Sequence, residues 1–207
     1  MNENAKFVPE EMSEHEEPVD FLSRELDMTI SISEEAFTHF PEVSEREIET
    51  GQEKFRILLG SYVKQLTGVN VNIDAIMELT EPYGYYHEGI EEIREINIQA
   101  LKDLVKRLED SKESQGLKMV GDLHTHPVKQ SRLHPNQRSF HLSQGDIDCM
   151  ISHYKDGVIN ANSPYVFVIA GSLEDGKTGY AYYRVIKDGD KYCVMNVHEK
   201  GQNTNNI

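Results

Sequence analysis

Apolar and polar residues alternate through MTISIS (28–33), the pattern of a strand with one buried face. The next stretch, SEEAFTHFPEVSEREIETGQ, opens on a serine and two acidic residues as a helix does, and Pro41 must bend or divide it. EKFRILLGSYV (53–63) and VNVNIDAIMEL (69–79) predict two strands joined by a turn at Thr67 and Gly68. In EGIEEIREINIQALKDLVKRLEDS (88–111), Ile93, Ile96, Ala100, Leu104 and Leu108 recur at spacings of three and four, which predicts one long helix with that face in the core. LKMVGDLHTH reads as a strand ended by Pro127, and SQGDIDCMISHYKD as a short helix. SPYVFVIAGS, TGYAYYRVIK and KYCVMNVHE read as strands with turns at 174–176 and 188–190.

This order predicts an α/β (α+β) domain, a central and mostly antiparallel sheet flanked by helices. At 207 residues and 38% hydrophobic, the chain suits one such domain, placed at 28–198 between flexible ends. Residues 1–28 hold nine acidic residues against two basic ones and few apolar ones, so 1–27 reads as a disordered acidic tail. Residues 199–207 read as a second disordered tail.

A formal charge of -15 and the lack of a basic stripe argue against nucleic acid as a partner. No basic leader and no apolar run of spanning length is present, so no membrane is expected and the protein reads as cytoplasmic. Cys149 and Cys193 are too few for a disulfide framework, and their helix and strand settings fit small buried hydrophobes in a reducing compartment.

GDLHTHPVKQSRLHPNQRSFHLSQGDID (121–148) gathers four of the nine histidines. Side chains alternate along a strand, so Asp122, His124 and His126 share a face, and two imidazoles two residues apart can share a cation. Ser143 and Asp146 stand at the N-cap and N3 spacing of the following helix. Two histidines and one aspartate leave a tetrahedral zinc one position for water, as a catalytic site requires. Taken singly, the same residues also fit a plain helix cap, polar side chains facing water, and an Asp122 that faces solvent or holds a ligating imidazole. Other zinc patterns are absent, since HEGIE at 87–91 ends in glutamate rather than histidine and no Pro-Cys-x-x-Cys occurs.

Glu53 ahead of a strand, His124-Thr125-His126-Pro127 and Ser143-Gln144-Gly145-Asp146 together resemble the JAMM (JAB/MPN) metalloprotease family, whose pattern is an upstream Glu, His-Ser/Thr-His-Pro and Ser-x-x-Asp. The order of elements over about 28–198 is similar to that family's domain. The resemblance implies that His124, His126 and Asp146 bind Zn2+, that Glu53 is the general acid/base, and that Ser143 stabilises the oxyanion. It further implies a ubiquitin-like protein or its conjugate as substrate, cleaved after its C-terminal tail. A small adduct on a sulfur-carrier protein, or a noncatalytic scaffold, are the alternatives. Arg56 stands where the family commonly has glycine, which leaves Glu49 and Glu78 as alternatives for the base. The 127–142 loop is longer than the family's usual connection and adds Arg132, His134, Arg138 and His141. EPYGYYHEG (81–89) is either a contact surface or a packed loop.

Overall fold

Seven strands of this chain hydrogen-bond into one mixed sheet in the computed structural model. The residues described are 20–23, 26–40, 54–78, 84–86, 93–96, 98–110, 116–126, 142–172 and 177–197. Strands β1 (Asp27–Ile32), β2 (Phe55–Gln65), β3 (Gly68–Glu78), β6 (Lys118–Thr125), β7 (Val166–Ser172), β8 (Thr178–Asp188) and β9 (Lys191–Asn196) lie in the order β1-β3-β2-β6-β7-β8-β9. The β1–β3 and β6–β7 pairs are parallel, and the other four are antiparallel. The expected mixed α/β class, with one main and mostly antiparallel sheet, is therefore present.

Central strand β7 is apolar on both faces, as burial from both sides demands. Val166, Val168 and Ala170 pack with Ala36 and Phe40 of α1 (34–40). Phe167 and Ile169 pack on the opposite face with Leu101 and Leu104 of α2 (Ile98–Asp110) and Met150 of α3 (Gln144–Lys155). Each fully buried side chain of this size contributes about 1.5–3 kcal/mol, so two helix-covered faces give the sheet its core. Ser33 starts α1 as its sequence indicated, its hydroxyl accepting the Ala36 N–H at 3.1 Å. Pro41 and the rest of that expected helix lie outside the described residues.

Three expectations need correction. Ile93–Ile96 is not helical but forms β5, paired with β4 (Gly84–Tyr86) in a separate two-stranded sheet, and the helix begins only at Ile98. Isoleucines three residues apart fit a helix face, but β-branched and aromatic residues also favour strands, and Tyr86 pairs with Ile93. The β2–β3 turn falls at Leu66 and Thr67, with Gly68 already in β3, pressed against the Asp27 carbonyl where a Cβ would collide. The folded body also takes in residues assigned to the acidic tail: Phe21 and Leu22 are buried, and the Leu22 carbonyl accepts the Lys187 N–H at 2.8 Å. Composition averaged over a long acidic stretch hides two apolar residues. Among the described residues, no helix is long and apolar enough to cross a membrane.

Gly121 shows how closely β6 and β7 approach. A Cβ at this position would overlap the Val166 carbonyl oxygen and stand 2.8 Å from Val166 Cγ1. Only glycine leaves the room this strand pair uses.

Candidate metal centre

Strand β6 delivers its histidines at its C-terminal end, between β2 and β7. His124 pairs with Phe55 on one side and Ile169 on the other, so its ring points to the sheet face that α3 covers. The intervening Thr125 points to the opposite face, beside Ala170. His126 continues the line one residue past the strand, its N–H donating to the Ala170 carbonyl at 2.8 Å. The alternation read from the sequence thus places both imidazoles side by side, with ring centroids 5.0 Å apart.

Helix α3 brings the third group. Ser143 is its N-cap: the hydroxyl accepts the Asp146 N–H at 3.1 Å, and the Ser143 N–H donates to Asp146 Oδ2 at 2.6 Å. This reciprocal cap satisfies two orphan donors of the first turn. It also fixes the carboxylate, which is directed at the histidines with Oδ1 3.3 Å from His124 Nε2 and Oδ2 3.6 Å from His126 Nε2. The cap thus also orients the candidate ligand Asp146. Replacing Ser143 with alanine should lower stability by about 1 kcal/mol and weaken metal binding by roughly tenfold or more, since the ligand loses its support. Thermal unfolding and a competitive chelator titration measure the two effects. Unchanged metal affinity would show that the cap serves the helix alone.

The three donor atoms have the spacing of a metal shell. A tetrahedral zinc bonded to nitrogen and oxygen at about 2.0–2.1 Å holds adjacent donors about 3.3–3.4 Å apart. Here the imidazole Nε2 atoms are 3.2 Å from each other, and the carboxylate contacts are 3.3 and 3.6 Å. Two imidazoles converging through the same nitrogen, with a carboxylate closing the triangle, form a donor set that fits a borderline cation. Burial alone would raise the Asp146 carboxyl, but hydrogen bonds and charge from His124 and His126 outweigh it and hold that carboxyl well below the usual range. The Asp146 carboxyl is thus ionised at neutral pH. Among the described residues, His124, His126 and Asp146 are the group of His, Cys, Asp or Glu that could hold a metal ion.

Behind this triad lies a buried polar cluster. Asp122 does not face solvent. It is 1% exposed, accepts the Tyr165 hydroxyl at 3.0 Å, and has Oδ2 3.8 Å from His153 Nδ1. His153 Nε2 in turn stands 3.8 Å from Cys149 Sγ, and its Nδ1 makes no hydrogen bond. Burial is the main cause that raises the Asp122 carboxyl and pushes the Cys149 thiol up to about 12, so that thiol is no nucleophile. Both cysteines are free and only partly buried.

Burial also drives His153 down to about 4. Its folded pKa is below the unfolded value of about 6.5, so its contribution is present above pH 6.5 and is lost as pH falls from about 6.5 towards 4. The full loss is on the order of 3 kcal/mol. Asp122, raised on folding, acts in the opposite sense as pH rises above its unfolded value. Comparing wild type with His153→Leu isolates the histidine. Urea midpoints from pH 7 to 4 should fall more steeply in wild type, and parallel curves would refute this.

Glu53 and Glu49 lie outside the described residues, as does the loop through His141. Lys54, which follows Glu53, is held on both sides by Thr125: its N–H donates to Thr125 Oγ1 at 3.0 Å and its carbonyl accepts the Thr125 N–H at 3.1 Å. Glu78 ends β3, two strands from the histidines, with its carboxylate 3.8 Å from Lys54 Nζ. Arg56 is buried in β2. Neither His153 nor Tyr165 belongs to the motifs read from the sequence. His153 falls two helical turns after Asp146, on the same face of α3, and that spacing was legible. Tyr165 is 43 residues from Asp122 in sequence, and only the fold joins them. Compared with known protein families and with curated proteins, the chain matches no family model and no curated sequence.

Proposed function

We propose that this protein is a JAMM (JAB/MPN)-type zinc peptidase that cleaves after the C-terminal tail of a ubiquitin-like protein or its conjugate. The observation that carries the reading is the donor triangle of His124, His126 and Asp146, with edges close to those of a tetrahedral zinc shell. The Glu, His-Thr-His-Pro and Ser-x-x-Asp order supports it.

Zinc held by the three ligands would supply Lewis acidity and lower the pKa of water towards about 7. Glu53 takes the proton of the attacking water and returns it to the leaving amine, so one carboxyl serves both halves of the reaction. Ser143 accepts the Asp146 N–H through its oxygen, which leaves its own hydroxyl hydrogen to donate to the developing oxyanion. Its side chain is exposed at the start of α3, where substrate can reach it. Asp146 and the two histidines stay fixed by the cap and by β6 while the carbonyl carbon changes geometry.

The deciding experiment incubates the protein with a panel of ubiquitin-like proteins, each fused through its C-terminus to a reporter, with and without chelator. Cleavage at the tail that stops with chelator and returns with added zinc is the expected result. A zinc-loaded protein that cleaves no panel member but releases an amino acid from a sulfur-carrier tail would move the substrate to the smaller adduct. No hydrolysis of either class would leave a metal-binding scaffold.

A further inference from the structure

We infer that Asp122 and His153 are positioning residues: their buried contact holds the helix that carries Asp146 against the strand that carries His124, and so sets the donor triangle. The inference rests on the zinc-peptidase reading and adds to it a polar pair outside the donor set.

The pair sits on the two elements that deliver the donors. Asp122 precedes His124 by two residues on β6 and shares its face. His153 follows Asp146 by two helical turns on α3. Both residues are 1% exposed, and Asp122 Oδ2 stands 3.8 Å from His153 Nδ1. Around them the helix meets the sheet through rings: His153 stacks on Phe167 with centroids 6.0 Å apart and meets Phe55 edge-on at 6.3 Å. Phe167 and Phe55 are the strand partners of Asp122 and His124. Apolar packing is largely non-directional, so the polar pair is what gives this contact a defined register.

The pair also has a direction. Burial keeps His153 neutral at pH 7, so its ring carries one proton. The Cys149 thiol keeps its own proton and lies 3.8 Å from His153 Nε2, placed to donate there. The ring proton then belongs on Nδ1, facing the carboxylate that also accepts the Tyr165 hydroxyl at 3.0 Å. Tyr165 immediately precedes β7, so Asp122 joins three elements. Stability does not account for such a cluster, because apolar side chains of the same shape avoid the cost of burying a carboxylate. Placement does. Seven residues span about 10 Å of helix, so a change of about 5° in its direction, measured from His153, displaces Asp146 by about 0.9 Å. A metal shell accepts only about 0.2 Å.

Zinc affinity, read by competition with a chelator, tests the inference. His153→Leu should bind zinc about tenfold more weakly than wild type. His153→Asn has the shape of leucine but offers an amide N–H close to the Nδ1 position, and should recover most of the affinity. The apolar triple variant Asp122→Leu, His153→Leu, Tyr165→Phe leaves no member of the cluster unpaired, so it should melt no lower than wild type without metal. It should nevertheless bind zinc about tenfold more weakly, and a purely structural cluster would not separate the two quantities.

Nitrogen NMR of the wild-type imidazole supplies a readout that needs no variant: His153 should be protonated on Nδ1 at pH 7. Wild-type zinc affinity in His153→Leu or in the triple variant, equal weakness in the Leu and Asn variants, or a proton on Nε2 overturns the inference and leaves the zinc-peptidase reading standing. A wild-type protein that binds no zinc removes that reading, and the positioning role with it.

Discussion

Changing His124 and His126 together to alanine is expected to take the purified protein from about one zinc per chain to essentially none, and to abolish hydrolysis. The magnitude follows from the geometry. The two Nε2 atoms supply two of the three candidate donors, 3.2 Å apart, and Asp146 alone is a single carboxylate at a helix start. A single carboxylate does not hold a borderline cation against water. The fold should survive, because the core on this face is built from Phe55, Leu101, Met150, Phe167 and Ile169 rather than from the histidines. Circular dichroism should therefore match wild type while metal analysis differs.

Stability gives a second measure of the same effect. Zinc at a hundred times its dissociation constant adds about 2.7 kcal/mol to the form that binds it, so chelator should lower the wild-type melting temperature and leave the double variant unmoved. Full zinc occupancy in the double variant would reject the ligand assignment.

Glu53→Gln is expected to keep zinc and to lower turnover by roughly a hundredfold or more, the loss typical of removing general acid/base catalysis. Glutamine preserves size and much of the hydrogen bonding but cannot accept a proton. Metal content and activity should thus part company, which the histidine variants cannot show. If Glu53 were an ordinary solvated carboxylate, the change would alter stability by at most about 0.5 kcal/mol and leave turnover near wild type. A fully active, zinc-loaded variant would direct the same test to Glu49 and Glu78. Of these, Glu78 already lies beside the Lys54 ammonium, on a strand that β2 separates from β6.

The parts of the site that could be read from the sequence are those that depend on local geometry. His-x-His on a strand and Ser-x-x-Asp at a helix start are fixed by the periods of their own elements, and both appear as expected. Their meeting needed the sheet to form and was legible only as an expectation. The parallel pairing of β1 with β3 and the contact of Tyr165 with Asp122 depend on chain segments about forty residues apart, which no local period records. The segment at Ile93–Ile96 departs from the helical expectation for a related reason: a spacing of three is compatible with either element, and the partner strand decides between them. Phe21 and Leu22 are buried although the acidic composition around them averages to that of a solvated tail.

Gly121 bears on how changes in this protein would look to a geneticist. The residue has no reactive side chain, yet any Cβ there would push against the Val166 carbonyl and force β6 from β7 three positions before His124. The imidazoles would move with the strand. Under the proposed function, an allele altering Gly121 would share its phenotype with alleles of His124 and His126, and a saturation screen scored by that proposed activity would mark a position that no inspection of chemical groups could find.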